Sequence, residues 1–329
     1  MEKISFVIPC YNSESTLENV VHEVVSEMKT SLPENEYEII LVNDCSKDGT
    51  TGVIRKLCDE LPNVKGIEFA KNFGQHAALL AGFRKLSGDY VVCLDDEGQM
   101  PIESVKEMID TLRDGADCVV GRYSKTKQSL FRRFGSRLNS KMNEILLSKP
   151  KDLELNSFWG AKRFVTDEMI KYEGAYPYIG GLLLRTTSNI RNIDVKHRAR
   201  ASGKSGYSLF KLINLWMNGF TAFSEKPLRI ATFCGFIFAI AGFIFAVISV
   251  IRKLIDPSIL LGYTSSICIV LFVGGIIMII IGVLGEYIGR TYICINHSPQ
   301  YVIRSEYSSE ASDRQEQESD KADGEPRKE

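Results

Sequence analysis

Two stretches without a charged residue, Ile230 to Ile251 (22 residues) and Pro257 to Gly285 (29 residues), constrain this chain more than anything else in it. Either is long enough to cross the hydrocarbon layer of a bilayer. The connection from Arg252 to Thr264 is short, so the sequence predicts a transmembrane hairpin with spans at about 229–251 and 262–285 and both chain ends on one side. Arg252 and Lys253 in that connection fit the positive-inside rule imperfectly. The far larger basic load between Arg122 and Lys226 outweighs them and puts both termini in the cytoplasm. Gly275, Gly282, Gly285 and Gly289 fall near one helical face, which permits close packing within the hairpin or between protomers.

What precedes the hairpin has to fold in water, and its pattern is α/β. Ile4 to Ile8 reads as a buried strand, and Leu17, Val20, Val21, Val24, Val25 and Met28 then fall on one helical stripe. Strands at Tyr37–Val42, Val64–Ala70 and Tyr90–Leu94 alternate with helical segments through Val120, which predicts a doubly wound, mostly parallel sheet. No Gly-x-Gly-x-x-Gly follows the first strand and no Walker loop is present. Instead, successive strands end in polar residues: Asn12, then Asp44 and Asp48, then Asp95, Asp96 and Glu97. Ligands of open α/β sheets bind at the carboxyl ends of strands, so the pattern points to a nucleotide site. A single Asp in such a place equally suits a turn or a helix cap.

The three consecutive acids at 95–97 are the chemical centre of the sequence. Side chains alternate along extended backbone, so Asp95 and Glu97 point one way and Asp96 another. Hard divalent cations take oxygen ligands and commonly keep phosphates as co-ligands. The same acids would also serve as a solvated turn ahead of a helix that opens at Pro101 and Glu103.

Net charge is −1, but the segment from Ser305 to Glu329 holds nine acids and four bases and leaves about +4 on the rest. Arg122 to Lys141 carries seven Lys/Arg and no acid, beside an apolar stripe of Leu130, Phe131, Phe134, Leu138, Met142, Ile145 and Leu146. A basic amphipathic helix at about 129–147 suits an anionic membrane surface. A solvated helix face is the plainer alternative, and nucleic acid is disfavoured by the hydrophobicity that follows. Arg185 to Lys204 is basic again, with Gly and Ser that allow a loop to fold over an anion. A further amphipathic helix is expected at 206–225. The eight cysteines show no Cys-x-x-Cys pair and no secretory signal precedes the first strand, which favours a reducing cytosolic face. None of the four histidines has metal-ligand spacing.

In order along the chain stand Val7-Ile8-Pro9-Cys10-Tyr11-Asn12, Asn43-Asp44-Cys45-Ser46-Lys47-Asp48-Gly49-Thr50, Asn72-Phe73-Gly74-Gln75-His76 and Leu94-Asp95-Asp96-Glu97-Gly98-Gln99-Met100-Pro101. His197-Arg198-x-Arg200-x-x-Gly203-x-Ser205-x-Tyr207 and Gly285-Glu286-Tyr287-Ile288-Gly289-Arg290 follow. In this order, ahead of a hairpin, the chain resembles the polyprenyl-phosphate glycosyltransferases over about residues 4 to 300. The resemblance implies a Rossmann-like GT-A domain (residues 1–205), interface helices, a hairpin within 226–290 and a cytosolic tail at 291–329, disordered from about 305. It implies an inverting, metal-dependent enzyme of the plasma membrane that moves one sugar from a nucleotide sugar, UDP favoured, to a polyprenyl phosphate, undecaprenyl favoured. A homo-oligomer, tetrameric by resemblance, goes with it.

Position by position, the resemblance gives Pro9, Tyr11, Asn12, Asp44, Asp48, Asn72, Asp95 and Asp96 to the donor. Asp95 and Glu97 would hold Mg²⁺ or Mn²⁺. Arg122, Arg132, Arg133 and Ser136 look like the acceptor-phosphate cradle, and Arg198, Arg200 and Ser205 like a loop closing over the donor. Arg200 and Ser157 join the two acids as catalytic residues. Two positions depart from the family pattern: Glu97 replaces the second Asp of Asp-x-Asp, and Asn156-Ser157-Phe158 stands where Gly-Asp-Phe supplies a proposed base. Ser157 could orient the nucleophile, with Asp152 or Glu154 as substitute bases.

Overall fold

The computed structural model describes residues 1–123, 144, 149–175, 177–196, 263–296 and 299–309, with single helical positions between 233 and 255. The two expected amphipathic helices and most of the first apolar span lie outside the described residues. The chain divides into two compact units, Met1–Gly206 with Pro299–Glu329, and Tyr207–Ser298.

The first unit opens with β1 (Lys3–Cys10), α1 (Leu17–Ser31), β2 (Glu36–Asn43), α2 (Thr50–Glu60), β3 (Val64–Phe69), α3 (Gln75–Phe83) and β4 (Tyr90–Cys93). A 3-10 turn (Ile102–Ser104) leads into α4 (Val105–Arg113) and β5 (Cys118–Tyr123). Then come β6 (Trp159–Lys162), α5 (Arg163–Met169), α6 (Ile179–Thr186) and β7 (Ile190–Val195). α7 (Tyr263–Ile295) belongs to the second unit, and β8 (Ile303–Tyr307) returns to the first.

Eight strands form one sheet in the order β7-β5-β6-β4-β1-β2-β3-β8. β4, β1, β2 and β3 are mutually parallel, as the alternating pattern predicts. β6 runs antiparallel to both neighbours and β8 antiparallel to β3, so the sheet is mixed. The cause in β6 is topological. β5 ends and β6 begins at the same, carboxyl edge of the sheet, so the two strands run antiparallel.

Apolar side chains fill both faces of the central strands. Ile4, Phe6 and Ile8 of β1 join the buried stripe of α1 and Val105, Met108, Ile109 and Leu112 of α4 in one core. On the other face α3 is buried from Ala77 to Phe83, an apolar-all-round helix held against the sheet. Its close approach depends on Gly82, where a Cβ would stand 2.3 Å from Val7 Cγ1.

β8 corrects the expectation of a structureless tail from about 305. Ala70 N–H donates to Val302 C=O at 2.9 Å, and Tyr301 stacks on Phe69 with ring centroids 5.2 Å apart. Tyr307 Oη donates to Glu68 at 2.5 Å, and Arg84 donates to both Tyr301 Oη and Gln300 Oε1. The segment thus caps the β3 edge, which would otherwise present unpaired backbone groups.

In the second unit α7 is one helix of 33 residues, about 50 Å at 1.5 Å per residue. It contains the expected second span and runs ten residues beyond its predicted end at Gly285, through Glu286 and Arg290. Phe272–Ile295 is the one helical stretch among the described residues long and apolar enough to cross a membrane. Met278, Ile281 and Ile288 are exposed along it.

Candidate active site

The polar strand ends do converge, and they are laced together. From the β1 loop, Tyr11 N–H donates to Asp96 Oδ2 at 2.9 Å, tying that loop to the end of β4. Asn12, in left-handed backbone at φ 54°, donates its N–H to Ser46 Oγ at 3.0 Å and accepts from Lys47 N–H at 2.9 Å. Asn is among the residues that tolerate this conformation. Asp48 takes Glu14 N–H and closes the entry of α2 through Thr50 N–H and Thr50 Oγ. Here the plain turn-and-cap role of an Asp is realised.

Asp44 is 4% exposed and ties β2 to the β3 loop. Its carboxylate accepts Phe73 N–H at 2.6 Å and Gly74 N–H at 2.8 Å, while Asn72 Nδ2 donates to its backbone carbonyl. Gly74 (φ 91°) turns the chain into α3 and delivers Gln75 to the acids. Gln75 Nε2 donates to Asp95 Oδ1 at 2.9 Å, and from the other flank Ser157 Oγ donates to Asp95 Oδ2 at 2.5 Å. Asp95 N–H points to Met100 Sδ at 3.2 Å. Asn156 holds Ser157 in place, donating to Gly121 C=O and accepting Phe158 N–H.

The electrostatics are those of an under-compensated acid cluster. Burial, with the charges of Asp96 and Glu97 adding to it, pushes the Asp95 carboxyl up to about 6, against the opposing bonds from Ser157 and Gln75. Burial likewise raises Asp96 and Asp44. Tyr123 is pushed up to about 12 by burial and by the charge of Asp95. Glu97 is exposed and accepts from Gln99 Nε2 at 2.5 Å. Asp95 and Asp96 serve different neighbours, in a turn that begins past the end of β4.

Among the described residues no group of three His, Cys, Asp or Glu side chains forms a metal cage. Mg²⁺-type sites need none, because one or two carboxylates together with substrate phosphates suffice. Asp95 and Glu97, with a local excess of negative charge, fit that donor set.

Several sequence-predicted residues meet here: Pro9 at the buried end of β1, Tyr11, Asn12, Asp44, Asp48, Asn72, Asp95, Asp96, Glu97 and Ser157. Arg122 is paired within the sheet. Its guanidinium makes a two-point pair with Asp194 of β7, at 2.7 and 3.1 Å, directly across the β5–β7 register. Tyr123, the next residue, faces the opposite side of the sheet, where it senses Asp95. Asp152 and Glu154 are exposed, and Glu154 backbone bonds to Asn192 of β7. Arg132, Arg133, Ser136, Arg198, Arg200 and Ser205 lie outside the described residues. Gln75, Gln99 and Tyr123 were not singled out for the site from the sequence. Only the position of Gln75 after a turn glycine, at a strand-to-helix junction, marks it there.

A mixed sheet with Asn12, Asp44 and Asp95 gathered past the ends of β1, β2 and β4 marks an α/β fold with a polar carboxyl edge, and sequence comparison assigns it. Residues 5–172 match the model of glycosyl transferase family 2, and residues 226–291 match the GtrB C-terminal hairpin. The chain belongs to glycosyl transferase family 2, and within it to the polyprenyl-phosphate glycosyltransferases. It is 35% identical over 310 residues to the bactoprenol glucosyl transferase of Shigella phage SfV, covering 92% of this chain and 99% of that one. It is 31% identical over 312 residues to the undecaprenyl-phosphate 4-deoxy-4-formamido-L-arabinose transferase of Proteus mirabilis (strain HI4320), covering 92% and 94%. Among solved structures, a Mycobacterium tuberculosis glucosyl-3-phosphoglycerate synthase crystallised with Mn²⁺ and UDP-glucose aligns with a TM-score of 0.48 at 19% identity, covering 71% of this chain and 78% of that one.

Proposed function

We propose that this glycosyltransferase moves a single sugar from a nucleotide sugar to a polyprenyl phosphate at the cytosolic face of the plasma membrane. The observation that carries the reading is Asp95, bridged by Gln75 and Ser157 at the carboxyl edge of the sheet, in a chain that also matches the hairpin model. The printed activities of the two relatives, on bactoprenol and on undecaprenyl phosphate, support the lipid acceptor. UDP is the favoured nucleotide and undecaprenyl the favoured lipid.

The reaction is a single displacement with inversion. An oxygen of the lipid phosphate forms a bond to the anomeric carbon as the bond from that carbon to the nucleoside diphosphate breaks, and the diphosphate departs with the electron pair. A phosphate monoester has its second pKa near ~6, so the nucleophile arrives largely ionised and needs little base catalysis. This accommodates Ser157 where the family pattern has an acid. Ser157 and Gln75 fix the Asp95 carboxylate, and Asp44 fixes the 72–75 turn. Asp95 and Glu97 would hold a Mg²⁺ or Mn²⁺ ion, whose chemistry is to screen the two anions and to stabilise charge on the leaving diphosphate. α7 and the preceding apolar run would anchor the domain, with the basic segments at 122–141 and 185–204 at headgroup level. Association of protomers through the glycine-lined face is part of the same reading.

The test is transfer by the purified full chain in detergent, with Mn²⁺, undecaprenyl phosphate and a donor panel, followed by the mass of the lipid. One added hexose or pentose is expected. A long polymer, or nucleotide binding without turnover across the panel, contradicts the reading.

A further inference from the structure

His76 is the second residue of α3, next to the glutamine that holds Asp95. Its Nδ1 is buried and has no hydrogen-bond partner among the described residues. The ring meets Tyr178 edge to face, with centroids 5.3 Å apart and planes at 89°. Burial holds its pKa down at about 4, so the imidazole is neutral at any physiological pH. A neutral imidazole offers one N–H and one lone pair. Leaving the buried Nδ1 unpaired is costly, and natural proteins keep few such atoms without a reason.

Position narrows the reason. The turns after β1, β2 and β3 lie to one side of Asp95, where Asp44 and Asn72 gather them. Tyr178 belongs to the other side: it leads into α6, which packs on α5 and precedes β7. A donor whose nucleoside lies over β1 and β2 and whose diphosphate reaches Asp95 carries its sugar toward that second side. A charged phosphate oxygen is best met by a cation. A nitrogen of an uncharged ring, which donates or accepts according to its tautomer, is matched to a hydroxyl, which can do either.

We propose that His76, held edge-on by Tyr178, hydrogen-bonds a hydroxyl group of the transferred sugar and sets donor preference. This rests on the reading of the chain as a nucleotide-sugar transferase. The test uses the full chain with UDP-glucose, UDP-galactose, UDP-N-acetylglucosamine and GDP-mannose, and takes forward the donor that wild type turns over best. His76→Phe keeps the ring packing and removes both nitrogens. It is expected to raise KM for that donor about three- to tenfold, the value of one neutral hydrogen bond, while the inhibition constant of the nucleoside diphosphate it releases stays within about twofold. His76→Gln, with an N–H and a carbonyl, is expected to recover most of the loss. Both constants rising together, or neither moving, overturns the assignment. Thermal melts accompany each variant, and if His76→Phe does not fold, the same ratio is read from His76→Leu against His76→Gln. Wild type inactive on every donor would sink the parent reading, a result distinct from an active enzyme whose sugar affinity ignores residue 76.

Discussion

Glu38, near the start of β2, and Asp95, just past the end of β4, are carboxylates at opposite edges of the sheet, and the protein treats them in opposite ways. Glu38 is 2% exposed at the start of β2. One of its oxygens accepts Ser5 Oγ, Ser87 N–H and Ser87 Oγ at 2.6 to 2.9 Å, and the other faces Lys3 Nζ at 3.3 Å. Burial alone would raise its pKa, but these bonds and the Lys3 charge bring it below the usual carboxylate value. Asp95 receives two hydrogen bonds, sits beside two more acids, and is pushed up to about 6. At the amino edge the charge is balanced within the fold, by Lys3 at 3.3 Å and Lys65 at 3.9 Å. The carboxyl edge is left with negative charge that something outside the fold has to balance, which is how a binding edge differs from a structural one.

The sharpest way to break this contrast is to neutralise each acid. Asp95→Asn is expected to cut transfer about a thousandfold or more, because it removes a charged ligand of the ion that would screen the anions. Steady-state transfer at saturating donor checks this, and a loss below tenfold would contradict it. Ser157→Ala and Gln75→Ala remove the partners that orient Asp95, and each is expected to weaken Mn²⁺ activation by about ten- to a hundredfold. A Mn²⁺ titration of the rate separates this from a general loss of activity.

Glu38→Gln moves the other quantity. It leaves Lys3 without its counter-charge and is expected to cost about 2 kcal/mol of folding stability, with specific activity of the folded fraction unchanged. Because the folded pKa of Glu38 lies below the usual carboxylate value of 4.5, its contribution is complete above that pH. It fades as pH falls through the lower, folded value. Denaturation curves of wild type and Glu38→Gln should therefore converge in acid. The sign for Asp95 is reversed. Its folded pKa is raised from 3.8 to about 6, so ionisation in the folded state is penalised increasingly as pH rises across that interval. In chelator, Asp95→Asn should be more stable than wild type at pH 8 by about 1 to 2 kcal/mol, discounted for solvent screening, and no more stable at pH 4. A mutation that raises stability and abolishes activity is the mark of a site strained for function. Smallest of all, Arg122→Ala breaks an exposed pair with Asp194 and should leave the melting temperature essentially unchanged.

Much of this was legible before any coordinates. The stripe of α1 follows from apolar periodicity, because that helix buries one clear face. The convergence of Asn12, Asp44 and Asp95 follows from where strands stop. β8 was not legible: Ile303 to Tyr307 alternates half-buried and exposed residues on a sheet edge, and its anchors are Tyr301, Tyr307 and a partner arginine far along the chain. The antiparallel run of β6 depends on the route of the long connection before it, which periodicity does not encode. The ion pair of Arg122 was not legible either. Strand register, which pairs it with Asp194, is a property of the folded sheet. Gln75 and His76 sit at the start of a helix whose buried remainder supplies all of the pattern, so their roles show only in three dimensions.

The account stands on charge balance at residues 95 and 97. The most direct measurement is sugar transfer to undecaprenyl phosphate by the full chain, first in excess chelator and then after Mn²⁺ or Mg²⁺ is restored. Transfer should stop in chelator and return with the ion. Unchanged turnover in chelator would contradict the account.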